Sequence, residues 1–233
     1  MGKDRIDSTA LRAEATAYRR YFLWAQIAIA YLFLELAIWA PTLHLRNRWA
    51  AILAITMLIF ILSDGLSNLP SNHRPSLQRL GLGLPNVSGA AIVLATGLAA
   101  AVSIVILVRW AGGQIPANPS WFSHLRSAWG YAIWALFQEF ILQSFFFIRF
   151  EELNGSSAAV WIASALFAAA HLPNPVLLAA ALAGSLFFCE MFRRYRSIYP
   201  LAISHALLGL TLALTIPDSL LHHMRVGLGY LRY

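Results

Sequence analysis

Seven long apolar runs constrain the fold of this chain more than any other feature of its sequence. A helix needs about 20 apolar residues to cross roughly 30 Å of hydrocarbon. Seven segments come near that length: 21–40, 49–64, 89–109, 129–148, 157–171, 176–192 and 198–216. Only 12% of the 233 residues are charged, too few to cover the surface of a soluble domain. The sequence predicts an all-α, polytopic membrane protein with seven transmembrane helices, or eight if the C-terminal tail makes a further crossing.

The runs divide the chain into three parts. Residues 1–20 are polar and basic, so we expect an N-terminal segment in the cytoplasm and no cleavable signal peptide. Residues 21–216 form a single transmembrane domain, and the more polar tail, 217–233, is expected to be a surface helix or loop. The fifth and sixth runs are separated only by Leu172-Pro173-Asn174-Pro175, whose two prolines forbid a continuous helix.

The basic residues lie in short loops between the apolar runs and give the chain a net charge of +7. In this arrangement they fit the anionic headgroups of a lipid bilayer, and we expect no binding to nucleic acid. If the N-terminus is cytoplasmic, eleven of the seventeen Lys and Arg residues lie on the inner side. We therefore expect a multi-pass protein with a cytoplasmic N-terminus, in a bacterial cytoplasmic membrane. The lone Cys189 excludes an intramolecular disulfide.

A few polar residues fall at membrane depth, where an ionisable group is expensive and needs a specific reason. Glu190 precedes Arg193 and Arg194 at helical spacing, which predicts a structural ion pair. Glu35 has no local partner in the sequence, and we expect a structural role through pairing with another helix, a proton-linked role being the alternative. The remaining set is Gln138, Glu139, Gln143, His171 and His205.

Three of these residues, Glu139, His171 and His205, lie on different helices at similar depth, about 12–20 Å from the inner ends of their spans at 1.5 Å per residue. A carboxylate beside an imidazole can take a proton from water, and a second imidazole can donate to the oxyanion that forms. The same three side chains could instead bind zinc. We expect no cofactor, because the chain lacks a His-Glu-x-x-His pair.

Three short motifs resemble the CPBP family, the CAAX-protease and bacteriocin-processing membrane proteins, which include the type II CAAX prenyl endopeptidases. The family pattern is Glu-Glu-x-x-x-Arg, then Phe-x-x-x-His, then His-x-x-x-Asn on successive helices. Here the motifs read Gln138-Glu139-Phe140-Ile141-Leu142-Gln143, Phe167-Ala168-Ala169-Ala170-His171 and His205-Ala206-Leu207-Leu208-Gly209. The resemblance covers residues 129–216 and implies a glutamate-dependent intramembrane protease.

Three positions depart from that pattern. Gln138 replaces the family's first Glu and cannot accept a proton, Gln143 replaces the Arg, and Gly209 replaces the Asn. The resemblance then implies Glu139 as the water-activating base, with His171 and His205 as catalytic residues and with Gln138 and Gln143 in supporting roles. The expected substrate is a membrane-anchored peptide or protein. The alternatives are an inactive family member that acts by binding, in immunity or as a scaffold, and a proton-linked transporter.

The predicted orientation can be tested with topology reporters fused after residue 20 and within residues 193–197. Because basic residues concentrate on the cytoplasmic side, both fusions should report a cytoplasmic location. Disagreement between the two reporters would show that an odd number of spans separates them.

Overall fold

The computed structural model describes residues 3–39, 77–113 and 121–232. All the regular elements within these ranges are helical, as the sequence predicts, and none is a strand. The second predicted span, 49–64, lies outside the described residues. The long helices are α1 (Lys3–Trp39), α2 (Val87–Trp110), α3 (Trp121–Glu139), α5 (Ser156–Ala169), α6 (Pro175–Tyr195) and α7 (Tyr199–Thr215). Helix α3 continues through a π-helical stretch, Phe140–Phe147, into α4 (Ile148–Asn154), and the tail holds α8 (Asp218–Leu221) and α9 (Gly227–Leu231).

Four helical stretches of the described chain are long and apolar enough to cross a membrane: Glu14–Trp39, Val87–Trp110, Ala128–Asn154 and Pro175–Tyr195. Helix α7 and the segment Asp218–Met224 form a fifth candidate together, bent by 119°. At 14 residues, α5 is only about 21 Å long, shorter than the hydrocarbon layer. The chain is therefore a polytopic, all-helical membrane protein, and among its described residues the candidate spans number four or five. The predicted total of seven or eight spans includes residues outside the described ranges and stays a prediction.

The break between α5 and α6 falls where the prolines predict it. Asn174 ends the turn and caps α6, because its side chain accepts a hydrogen bond from the Leu177 N–H. Pro175 occupies the first turn of α6, where its missing N–H costs nothing. The side-chain amide of Asn174 also donates to the carbonyl oxygens of Leu221 and Arg225. These bonds hold the tail against the start of α6.

Ion pairs gather several chain segments at one end of the bundle. Arg19 of α1 pairs with Glu152, and Arg196 at the end of α6 pairs with Glu151. The predicted pairing of Glu190 with Arg193 and Arg194 is present, at 2.7 and 2.6 Å. The segments that the sequence analysis assigns to the cytoplasm near residues 19 and 193–196 therefore share one end of the structure.

The helices approach closely where small residues face each other. On α2, a Cβ added at Gly97 would lie 2.6 Å from Ser204 Oγ on α7, so only glycine permits this contact. The core of the bundle is aromatic and centres on the π-helical stretch. Phe145, Phe146 and Phe147 are all buried there, and Phe147 packs edge-on against Phe192 of α6. Helix α3 is thereby fixed against its neighbours just beyond Glu139.

Candidate active site

A cavity of about 550 Å³ lies among the helices of the bundle. Its walls come from α1, α3 with the π-helical stretch, α5, α6, α7 and the tail, and most of the lining side chains are apolar. The polar side chains on its wall include Gln138, His171 and His205 from the three sequence motifs, together with Tyr131. This volume is typical of a ligand-binding pocket in which a few polar groups fix orientation.

Glu139 and His205, predicted to lie at one level of the membrane, are in direct contact. His205 Nδ1 lies 2.9 Å from Glu139 Oε1, a hydrogen bond that joins α3 to α7. Glu139 is completely buried, and the His205 ring stacks on Phe188 with centroids 5.4 Å apart. Because a carboxylate oxygen accepts, Nδ1 carries the hydrogen. Nε2 is then the ring nitrogen available to the cavity that His205 lines.

The second carboxylate oxygen of Glu139 is held by Gln143. Gln143 Nε2 donates to Glu139 Oε2 at 3.1 Å, and both side chains are fully buried. This pair occupies the positions of the second Glu and the Arg in the family pattern, on one face at i,i+4. A neutral amide thus takes the place of a guanidinium, and Glu139 has a partner for each of its oxygens.

His171 reaches the same cavity from the end of α5. Its Nδ1 lies 2.8 Å from the carbonyl oxygen of Phe167, and since a carbonyl can only accept, Nδ1 must donate. In the neutral ring, Nε2 therefore carries a lone pair. The Phe167 ring contacts both histidines, with centroids 4.9 Å from His171 and 6.0 Å from His205. The second motif thus contributes His171 and also the Phe167 ring, which contacts both His171 and His205.

Gln138 and Glu139 point in different directions, as adjacent residues on a helix must. Gln138 lines the cavity, whereas Glu139 does not and reaches it only through His205. None of the side chains that line the cavity in the described part of the chain is acidic. At the position of the family's first Glu, the group that faces the cavity is therefore the side-chain amide of Gln138.

Sequence reasoning missed three parts of this site. Helix α1 lines the cavity, although its sequence carries no motif, and the tail contributes Met224 and Val226. Tyr131 of α3 also lines the cavity, but it belongs to none of the three motifs, so the sequence does not mark it as a site residue. The available hint is Gly209, because a glycine in place of a functional Asn leaves space that another side chain can fill.

Two other polar residues at depth lie apart from the cavity. Glu35 accepts a hydrogen bond from the Trp39 indole at 2.9 Å, so it has the local partner that the sequence analysis did not foresee. Cys189 is fully buried and does not line the cavity. Within the described ranges, no group of three His, Cys, Asp or Glu side chains is arranged to hold a metal ion.

Comparison with known families agrees with the motifs. Residues 119–211 match the family described as type II CAAX prenyl endopeptidase Rce1-like, a stretch that contains every predicted site residue. This part of the chain is therefore similar to the CAAX-protease-type membrane peptidases, which supports the resemblance carried by the three motifs. No curated protein and no solved structure matches the chain.

The contact between Gln143 and Glu139 predicts unequal effects for Gln138 and Gln143, two glutamines five residues apart on one helix. Gln143→Met leaves a buried carboxylate oxygen without its donor and should lower the free energy of unfolding by about 1–3 kcal/mol. Gln138→Met changes only the cavity wall and should leave stability nearly unchanged. Thermal unfolding of both variants in detergent measures the difference. Equal melting temperatures would show that Gln143 does not support Glu139.

Proposed function

We propose that this protein is an intramembrane endopeptidase that hydrolyses a peptide bond of a membrane-associated protein or peptide inside the cavity. The observation that carries the proposal is the buried hydrogen bond from His205 to Glu139 at the wall of a cavity that His171 also lines. The family supports this class of reaction. A largely apolar cavity lined by helices suits a substrate that is itself held in the membrane.

In this proposal His171 takes the proton of the attacking water. Its Nδ1 donates to Phe167, so Nε2 is an acceptor in the neutral ring. Water oxygen bonds to the scissile carbonyl carbon while one water proton moves to Nε2, a form of general base catalysis that contributes roughly 10²–10⁴-fold. When the tetrahedral intermediate collapses, the C–N bond breaks and His171 returns that proton to the leaving amine.

Glu139 acts through His205 in this scheme, not by touching the water. Its carboxylate is buried and both oxygens are occupied, by His205 and Gln143. With Glu139 ionised, its negative charge balances a doubly protonated His205 ring, whose Nε2–H can then donate to the oxyanion. Such a donor acts where charge develops in the transition state. The sequence-based role of Glu139 as a direct base is therefore replaced by a positioning and charge-balancing role.

A second candidate function, a binding member of the family without peptidase activity, is favoured by one observation. No acidic side chain lines the cavity in the described ranges, and the position of the family's first Glu holds Gln138. The amide can orient a water molecule or a peptide group by hydrogen bonding, but it cannot take a proton. A cavity of this kind could hold a membrane peptide without cleaving it.

The peptidase proposal predicts a graded set of losses in kcat. His171→Ala should abolish cleavage, because the proton acceptor is gone. Glu139→Gln and His205→Ala should each lower kcat by about 10²–10³-fold, the usual cost of losing an oxyanion donor. Glu190→Gln is the matched control, since Glu190 pairs with arginines at the end of α6 and lies outside the cavity lining.

The measurement needs a substrate, which mass spectrometry can supply by comparing the membrane peptides that accumulate with wild-type protein and with His171→Ala. Rates are then measured on the reconstituted protein. Gln138→Glu separates the two candidate functions, because it returns an acid to the cavity wall. We expect Gln138→Glu to leave the rate unchanged or lower it. If the wild type is inert and Gln138→Glu creates activity, the protein is a binding member and not a peptidase.

A further inference from the structure

The space left by the missing side chain at Gly209 is occupied by Tyr131. A Cβ built on Gly209 would lie 2.5 Å from Tyr131 Cζ and closer still to the hydroxyl oxygen. While Tyr131 stays in place, position 209 has no room for any side chain, and only glycine fits there. The family pattern has an Asn at this position on α7, so the phenol from α3 reaches the place where an Asn side chain would begin.

The Tyr131 hydroxyl lies beside the residues that the proposed reaction uses. Gly209 follows His205 by one turn of α7, about 6 Å along the helix. Tyr131, His205 and Gly209 all line the one cavity, together with His171. A carbonyl group bound beside His205 would therefore lie within a few ångströms of the phenol.

The hydroxyl is also available as a donor. Among the described residues no hydrogen bond engages the Tyr131 hydroxyl, although most of the ring is buried. The hydroxyl is not fully buried, so at the wall of the cavity it can donate to water or to a ligand. An apolar filler such as Phe would occupy the same space but could not donate a hydrogen bond there.

We propose that Tyr131 is a further catalytic residue, whose hydroxyl donates a hydrogen bond to the oxyanion in the place of the family's Asn. The inference rests on the proposed function and adds a second donor to His205. No proton leaves the phenol: the oxyanion accepts the hydrogen bond while the water proton goes to His171 and then to the leaving amine. Phenolic hydroxyls are established donors in oxyanion holes.

The first arm of the test measures hydrolysis with the full chain in liposomes, using a library of quenched fluorescent peptides with apolar sequences. Tyr131→Phe keeps the ring and removes only the hydroxyl. We expect kcat to fall by about 10²–10³-fold with KM little changed. The control is Tyr199→Phe, which removes an exposed hydroxyl bonded to the Leu82 carbonyl, away from the cavity. An unchanged kcat in Tyr131→Phe would overturn the proposal.

The second arm does not depend on turnover and separates failure of this inference from failure of the peptidase proposal. The probes are a blocked phosphinate pseudopeptide with leucine side chains, which carries a negative oxygen at a tetrahedral centre, and the matching Leu-Leu amide. Tyr131→Phe should weaken phosphinate binding by at least about 10-fold and leave amide binding unchanged, since only the phosphinate loses a hydrogen bond to a charged oxygen.

The outcomes of the two arms are distinct. If the wild type cleaves no peptide but loses phosphinate affinity in Tyr131→Phe, the peptidase proposal fails and the anion-binding role of Tyr131 stands. If the wild type cleaves peptides and Tyr131→Phe does so equally well, the peptidase proposal stands and Tyr131 only fills space. A wild type that binds the phosphinate no better than the amide would also overturn the role of Tyr131.

Discussion

The hydrogen bond between Glu139 and His205 is the contact on which the rest of the site depends. It joins the last residue of α3 to α7, and the Glu139 side chain is fully buried there. A buried carboxylate is stable only when its oxygens are paired, and here His205 holds one oxygen and Gln143 the other. The close contact of Gly209 with Tyr131 brings α7 and α3 together one turn from this bond, and the aromatic core beyond Glu139 fixes the same chain segment against α6.

The same bond determines which atoms face the cavity. By engaging Nδ1 of His205, it leaves Nε2 for a ligand, and the Phe167 carbonyl has the same effect on His171. Two imidazoles are thus oriented by two different acceptors, one charged and one neutral. That difference supports different roles: the neutral partner leaves His171 as a proton acceptor, whereas the carboxylate can balance a positive charge on His205.

Much of this arrangement follows from the sequence, because helical spacing fixes the level of a residue along its span. The joint depth of Glu139 and His205 and the pairing of Glu190 with its arginines were predicted in this way, and both contacts are present. The break at Pro173 and Pro175 follows from the chemistry of proline. These features depend on short stretches of chain, where local rules apply.

The remaining features depend on how distant segments face each other, which spacing does not determine. Sequence could not show that Gln138 would face the cavity while Glu139 turned away from it. The tail is held near the cavity by Asn174, whose side chain binds two tail carbonyls far away in sequence. No local pattern in α1 marks it as a cavity wall. The sequence gives no reason to single out Tyr131, because only the structure shows that its ring fills the space beside Gly209. The number of membrane spans stays a prediction, since α5 is apolar yet shorter than the hydrocarbon layer and the run at 49–64 lies outside the described residues.

The central claim, that Glu139 acts through His205, is most directly tested by nitrogen-15 NMR of histidine-labelled protein in lipid bilayers. The His171→Ala and His205→Ala variants assign the two rings. The account predicts that Glu139→Gln shifts the Nδ1 resonance of His205, because its charged acceptor is lost, while the His171 ring, which is bonded to the Phe167 carbonyl, keeps its spectrum. An unchanged His205 resonance in Glu139→Gln would contradict the account.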